Sequence, residues 1–288
     1  MANEIAFQDW MILYLDVLGQ GHKLRGLTGI PTTEEEKAQF VSVLKTTLGV
    51  VLTLRDSFRR FFDEYSRESG WVSQLPEAQR AKMRQLRKAE VSYSGFSDSI
   101  IVAVPLSNHD EHCASLNGIY SALVAACGLP LFAMAAGQPL RGGVDVGVGT
   151  RLNTGEIYGA GLERAYSLES SLADYPRIVV GRELIRYLKW VSAQEPKTDF
   201  GRLAILTAER CQRLICQDTD GWPILDFLGA GLREAVANNV DPKAVEQAYE
   251  FAKRQYAGAC EKGDQKLMSR YFRLLRYFDA RRASSGIS

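Results

Sequence analysis

Near the start of the chain a short apolar run, Trp10 to Leu18, is interrupted by one carboxylate, Asp16, and closed by Gly19 and Gly21. A run of that length reads as a buried strand. A lone charge in a buried strand is costly, so Asp16 either sits at the strand's exposed end or is neutralised by a cation. After Pro31, Thr33 and Glu36 stand in capping-box spacing. Phe40, Leu44, Leu48, Val51, Phe58, Phe62 and Tyr65 then recur every three or four residues, which predicts a long amphipathic helix. Gln74 to Lys88 is polar and basic and reads as a partly helical connector. Glu90–Phe96 and Ser99–Val104 predict two strands of a hairpin, with a tight turn at Ser97–Asp98 and Pro105 at its end.

Ser107 or Asn108 can cap the next helix, which is expected to run towards Cys127 and to be interrupted by Gly128 and Pro130, with Leu131–Ala136 adding a further turn. Leu140 to Gly149 alternates around glycines and predicts a strand closely approached by another backbone. Gly159 and Gly161 precede a helix from about Leu162 to Ala173. Arg177–Val180 is a short strand followed by a helix to about Ser192, and a second hairpin is expected near Leu214–Phe227. Two more helices follow, one from Asp241–Pro242 and one over Gln265–Arg281, with Phe251, Tyr256, Leu267, Tyr271, Leu274, Leu275 and Phe278 as apolar positions. Interleaved strands and helices of this kind predict an α+β fold, an antiparallel-rich sheet covered by helices. The expected division is a catalytic unit over 1–200, with 201–288 completing the fold and contributing to a dimer.

Composition narrows the partners. Lys plus Arg (35) nearly cancels Asp plus Glu (34), which argues against a dedicated nucleic-acid or anionic-membrane binder. Five cysteines without a C-x-x-C pair read as reduced thiols. With no signal-peptide pattern at the N-terminus, the expectation is a cytoplasmic protein, with no membrane and no nucleic acid among its partners.

Candidate chemistry centres on Asp16 and Asp98. If the first strand and the hairpin are neighbours, the two carboxylates converge, and two carboxylates with a nearby backbone carbonyl are hard oxygen ligands for Mg²⁺. The plainer alternative is that each is solvated or caps backbone groups. His109–Asp110–Glu111–His112–Cys113 superficially suggests a metal site, but its place at a helix start favours capping and dipole stabilisation by Asp110 and Glu111. The glycines around Gly143 and Gly147 lack a phosphate-loop signature, so close packing explains them better. The Tyr271–Phe278 stretch reads as an amphipathic core or dimer helix rather than a nucleic-acid stack. Tyr93 can contact a base or fill the sheet face.

These motifs resemble a family. Leu15–Asp16–Val17–Leu18–Gly19 looks like the first metal-binding strand of class III adenylate and guanylate cyclases, and Gly95–Phe96–Ser97–Asp98–Ser99 like their metal-binding hairpin. Arg141–Gly147 is similar to their next core strand. Glu156–Gly159 and Ala165–Tyr166–Ser167–Leu168–Glu169 resemble the turn and helix that complete the site. The resemblance covers roughly residues 8 to 185 and is greatest to the bacterial pyrimidine cyclases of Pycsar antiphage defence. It implies a cyclase-like, ferredoxin-type sheet, and two Mg²⁺ or Mn²⁺ ions held by Asp16, Asp98 and the carbonyl of Val17. It implies conversion of UTP or CTP to cUMP or cCMP. It further implies a homodimer with active sites at the interface, and a separate effector that senses the cyclic nucleotide.

The departures from the family pattern concern the base and the transition state. The purine-reading lysine and aspartate positions are Ser94 and Glu156, which, with Tyr93, become the candidate base-binding residues. The transition-state Asn and Arg positions are Glu163 and Ser167. A cation must still offset charge on the phosphate oxygens, and Arg141 and Arg164 are the candidates. A purine cyclase and a non-catalytic nucleotide-binding domain are the rival readings.

Overall fold

In the computed structural model, residues 6–65, 77, 80–81, 91–95, 97–107, 109–153, 155–237 and 240–285 are described. Strand β1 (Gln8–Val17) runs antiparallel between β3 (Ser99–Pro105) and β4 (Leu140–Arg151). It is central because its side chains feed apolar layers on both faces. Met11, Leu13, Leu15 and Val17 enter the large core, while Trp10 and Ile12 join Ala103, Ile157 and Ala165 in a smaller one. The eight-stranded mixed sheet has the order β2-β3-β1-β4-β6-β8-β7, with β5 paired to β4. Here β2 is Ser92–Ser94, β5 Ile157–Gly159, β6 Ile178–Val180, β7 Ile215–Gln217 and β8 Pro223–Leu225. The fold is α+β, as the hydrophobic pattern predicts.

A short helix α1 (Gln20–Arg25) follows β1. The capping box then forms as the spacing predicts: the Thr33 amide donates to Glu36 Oε2 at 3.1 Å and the Glu36 amide to Thr33 Oγ1 at 3.2 Å. Helix α2 (Glu34–Tyr65) starts there, and its second half lays Leu54, Phe58 and Phe62 into the large core, with Val51 also buried. The connector expected over 74–88 falls almost wholly outside the described residues.

Helix α3 (Cys113–Ala135) corrects an expectation. It runs unbroken through Gly128 and Pro130, its N-cap is His112, and Ser107 makes no cap; instead the Ser107 amide donates to Ser115 Oγ at 2.8 Å. A proline inside a helix costs about 3 kcal/mol. Leu129, Leu131 and Met134 beside it are all buried, each contributing about 1.5–3 kcal/mol, so burial outweighs the break. α3 is apolar and long enough to cross a membrane, but 78% of that window is buried inside the fold.

Helix α4 (Ala160–Ser167) continues into a π-helical turn, Leu168–Leu172, before β6, which pairs parallel with β4. Helix α5 (Arg182–Ser192) is followed by α6 (Asp199–Arg213), which the hydrophobic pattern does not predict. Its buried face consists of Gly201, Ala204, Thr207, Ala208 and Cys211, small residues that leave no large apolar period. The β7–β8 hairpin extends the same sheet, followed by a short α7 (Ala230–Ala235). Helix α8 (Pro242–Lys262), capped by Asp241, and α9 (Gln265–Ser285) close the chain as a hairpin.

Candidate active site

Asp16 lies opposite Ser99 in one ladder and opposite Arg141 in the other. Pairing residues share a face, so Asp16, Ser99 and Arg141 all project to the side away from Leu13 and Leu15. Asp98 precedes Ser99 in the β2–β3 turn, where Ser97 takes a left-handed φ of 54°. The turn therefore brings Asp98 to Asp16, as the sequence predicts. Phe96 of that turn lies outside the described residues.

A third carboxylate joins them. A Cβ on Gly143 would collide with the Ala165 carbonyl, and one on Gly147 with the Gly161 amide, so α4 lies directly on β4 only because both are glycine. Glu169 in the following π turn is thereby buried beside Arg141, whose Nε is 2.5 Å from Glu169 Oε1 and 3.7 Å from Asp16 Oδ2. Single π turns recur at functional sites. Glu169 stands in the Ala165–Glu169 motif, but no role was assigned to it from sequence. Its only signal is a carboxylate one residue beyond an apolar Leu168.

Three carboxylates around one guanidinium leave an excess of negative charge. Burial, then repulsion from Asp98, pushes the Asp16 carboxyl up to about 6 against the opposing pull of Arg141. Burial likewise lifts Glu169 to about 7, with Arg141 opposing it and Asp16 and Asp98 adding to it. Burial also raises the Tyr14 phenol, which shares a hydrogen bond with Ser99 and stands edge-on to Tyr166 at 5.5 Å. Among the described residues, no three His, Cys, Asp or Glu side chains gather into a metal-binding group. The Asp16–Asp98 pair alone offers hard oxygen ligands in a place short of positive charge, which is the donor chemistry that suits Mg²⁺ or Mn²⁺.

The other expected residues are spread out. Val17 ends β1 opposite Leu140. Arg164 projects from α4 and donates to the Val146 carbonyl at 3.3 Å rather than joining Asp16. Glu163 accepts from Ser167 at 3.2 Å on the exposed side of that helix. Tyr93 faces the α2 side of the sheet, edge-on to Phe58 and Phe62 with Arg59 over its ring, so it fills the core face. Ser94 borders a cavity of about 90 Å³ with Arg55, Arg59, Tyr93, Gly95 and Ile100. Glu156 is exposed before β5, which pairs with the far end of β4, about 30 Å along the strand from Arg141.

Asp145, in the middle of the Arg141–Gly147 strand, accepts the Leu184 amide at 2.8 Å and anchors the start of α5. One further reading is revised. Glu111 does not cap α3. It accepts the Lys197 amide at 3.0 Å, ahead of α6, while His112 packs against Tyr187 and Trp190.

No protein-family model matches the chain, and no curated protein matches it.

Proposed function

We propose that this chain is a metal-dependent nucleotidyl cyclase that converts UTP or CTP to the 3′,5′-cyclic monophosphate and pyrophosphate, as the Pycsar-like motifs imply. The observation that carries the reading is the convergence of Asp16 and Asp98, from separate elements, beside Arg141. The strand–helix–hairpin–helix–strand succession with sheet order β2-β3-β1-β4 supports a cyclase-like, ferredoxin-type core. Two Mg²⁺ or Mn²⁺ ions, when bound, neutralise the triphosphate and acidify the 3′-hydroxyl.

Asp16 and Asp98 would hold those ions, with the end of β1 at Val17 offering a backbone carbonyl. The 3′-oxygen bonds to the α-phosphorus as the bond to the pyrophosphate oxygen breaks, and the hydroxyl proton leaves to solvent. Arg141 holds Asp16 in place and offsets charge near the α-phosphate; Glu169 fixes Arg141. Arg164 and Glu156 lie apart from Asp16 in one chain, so in this reading they act from a second subunit, across a homodimer interface that completes each site. Ser94, short and uncharged where a purine cyclase carries lysine, leaves a purine's ring polar groups without a partner. The product is a second messenger read by a separate effector in antiphage defence.

A second reading, a regulatory domain that binds nucleotide without turnover, is favoured by the Glu163–Ser167 hydrogen bond at the positions of the transition-state Asn and Arg. Incubation with Mn²⁺ and UTP, CTP, ATP or GTP in turn, with products identified by mass spectrometry, separates the readings. A cyclic pyrimidine lost in Asp16→Ala supports the first. Cyclic purine keeps the mechanism and overturns the base assignment. Saturable binding without product supports the second.

A further inference from the structure

Helix α2 carries a surface that the proposed chemistry does not use. Its first buried residue is Thr47, so the 13 residues before it extend about 20 Å with no buried side chain. An isolated helical stretch of that length is marginal in water. Along it Val41, Leu44, Leu48 and Leu52 form one stripe, exposed by 47%, 49%, 57% and 47%. Their spacing of three and four residues holds them within a quarter turn of one another. The same seam, continued through Val51, Phe58 and Phe62, is buried against the body of the protein. The exposed half is thus an extension of a packing stripe past the end of what packs on it.

The charges flanking the stripe indicate its occupant. Val41 and Leu52 lie at equal distances on either side of the point between residues 46 and 47, and so do Glu34 and Arg59, and Lys37 and Asp56. All six are exposed; within one chain Lys37 pairs with Glu34 at 2.7 Å and Arg59 lies over the Tyr93 ring, contacts that the pairing would exchange or share. A two-fold axis at that point sets Val41 on Leu52, Leu44 beside Leu48, Glu34 on Arg59 and Lys37 on Asp56. A parallel pair would instead set Glu34, Glu35 and Glu36 against their own copies, and Arg59 and Arg60 against theirs. Like charges at such flanking positions exclude that orientation. The same charges disfavour insertion of the stripe into a bilayer, although α2 is long and apolar enough to span one.

We infer that α2 pairs antiparallel with α2 of a second copy of this chain, forming an isologous contact centred between residues 46 and 47. The surface is distinct from the sheet face that carries Asp16, since Phe58 and Phe62 of α2 cover the opposite face with Tyr93. The pairing is independent of the cyclase reading and stands or falls without it.

Sedimentation velocity on the full chain tests it. The wild type is expected to sediment as a species of at least two copies. Glu34→Arg and Arg59→Glu each weaken association about tenfold, and the double reversal restores it, as complementary pairs require. Leu44→Glu with Leu48→Glu abolishes this contact while circular dichroism stays that of a folded chain, because both side chains are exposed. In a Cys260→Ser background, which removes the exposed native thiol, Val41→Cys with Leu52→Cys is expected to crosslink two chains on mild oxidation. Within one helix those positions are about 17 Å apart and cannot bridge. Val41→Cys alone should not crosslink; if it does, the pair is parallel and the inference is wrong. A monomeric wild type, whether or not it binds vesicles, or an assembly indifferent to the charge reversals and to the glutamates, overturns it.

Discussion

Asp16 stands where a carboxylate is expensive, half-buried at the end of a central strand, and the side chains around it only partly relieve that cost. Arg141 is shared with Glu169 at 2.5 Å, and Asp98 adds repulsion. On the proposed function, replacing Asp16 or Asp98 by alanine should lower turnover at least about 10³-fold in a fixed-time product assay, since removal of one ligand would deprive the developing charge of its compensation. Circular dichroism should be unchanged; substantial turnover by either variant would remove it from the site. Arg55 acts on the same constellation from behind. Its guanidinium donates to the Ser99 carbonyl at 2.8 Å, the residue after Asp98, and it packs so closely on Gly95 that a side chain there would collide with it. On the proposed function, Arg55→Ala should therefore raise the Mn²⁺ concentration needed for half-maximal turnover by about tenfold or more, at the roughly 1.5–3 kcal/mol of a charged hydrogen bond, while Arg55→Lys recovers part of it. An unchanged Mn²⁺ requirement in the alanine variant would show that the turn holds itself.

At the scale of elements, the strength of the fold lies in contacts that no linear pattern announces. Arg177 is almost wholly buried between β6 and the β7–β8 hairpin, where it pairs with Asp218, donates to Asp220 at 2.7 Å and lies over the Tyr175 ring. Tyr175 donates to the same Asp218 at 2.6 Å. Arg177→Ala leaves the buried Asp218 uncompensated, with Arg273 at 3.7 Å remaining for Asp220, and should cost about 3–5 kcal/mol in urea unfolding. A loss below about 1 kcal/mol would mean water replaces the guanidinium.

The sequence announced elements whose signal is local: β1, the capping box at Thr33 and Glu36, the Asp98 turn and the Asp241 cap. It missed α6, whose buried face is made of small residues. It broke α3 at Pro130 because local propensity ignores the burial around it. Asp16, Asp98 and Arg141 were legible as motifs. Glu169 was not given a role, because its place depends on α4 lying flat on Gly143 and Gly147 and then widening into a π turn, a three-dimensional circumstance.

For the molecule as a whole, the excess charge at the site couples stability to pH and, on the proposed function, to metal. Burial and the neighbouring carboxylates push Asp16 up to about 6 and Glu169 up to about 7, against ordinary values of 3.8 and 4.5. Both are raised on folding, so the folded state binds more protons than the unfolded state between those limits. The stability this confers is fully present below the ordinary values and is lost as pH rises through about 6 and 7. Asp145, also raised by burial, acts in the same direction. His112, lowered by burial, acts in the opposite one, since it favours folding above the ordinary histidine value and less below it. The carboxylate contribution is isolated by comparing wild type with Asp16→Asn combined with Glu169→Gln. On going from about pH 8 to pH 5.5, the wild-type melting temperature should rise relative to the double variant by about 3 °C or more. Saturating Mn²⁺ should reverse the order. An ion held by ionised Asp16 and Asp98 binds only the folded state and competes with protons, so its stabilisation is larger at the higher pH. Were Mn²⁺ to shift the wild type equally at both values, or to shift the Asp16→Asn variant as much as the wild type, the ion would be binding elsewhere and the charge excess at Asp16 would have to be met by Arg141 alone.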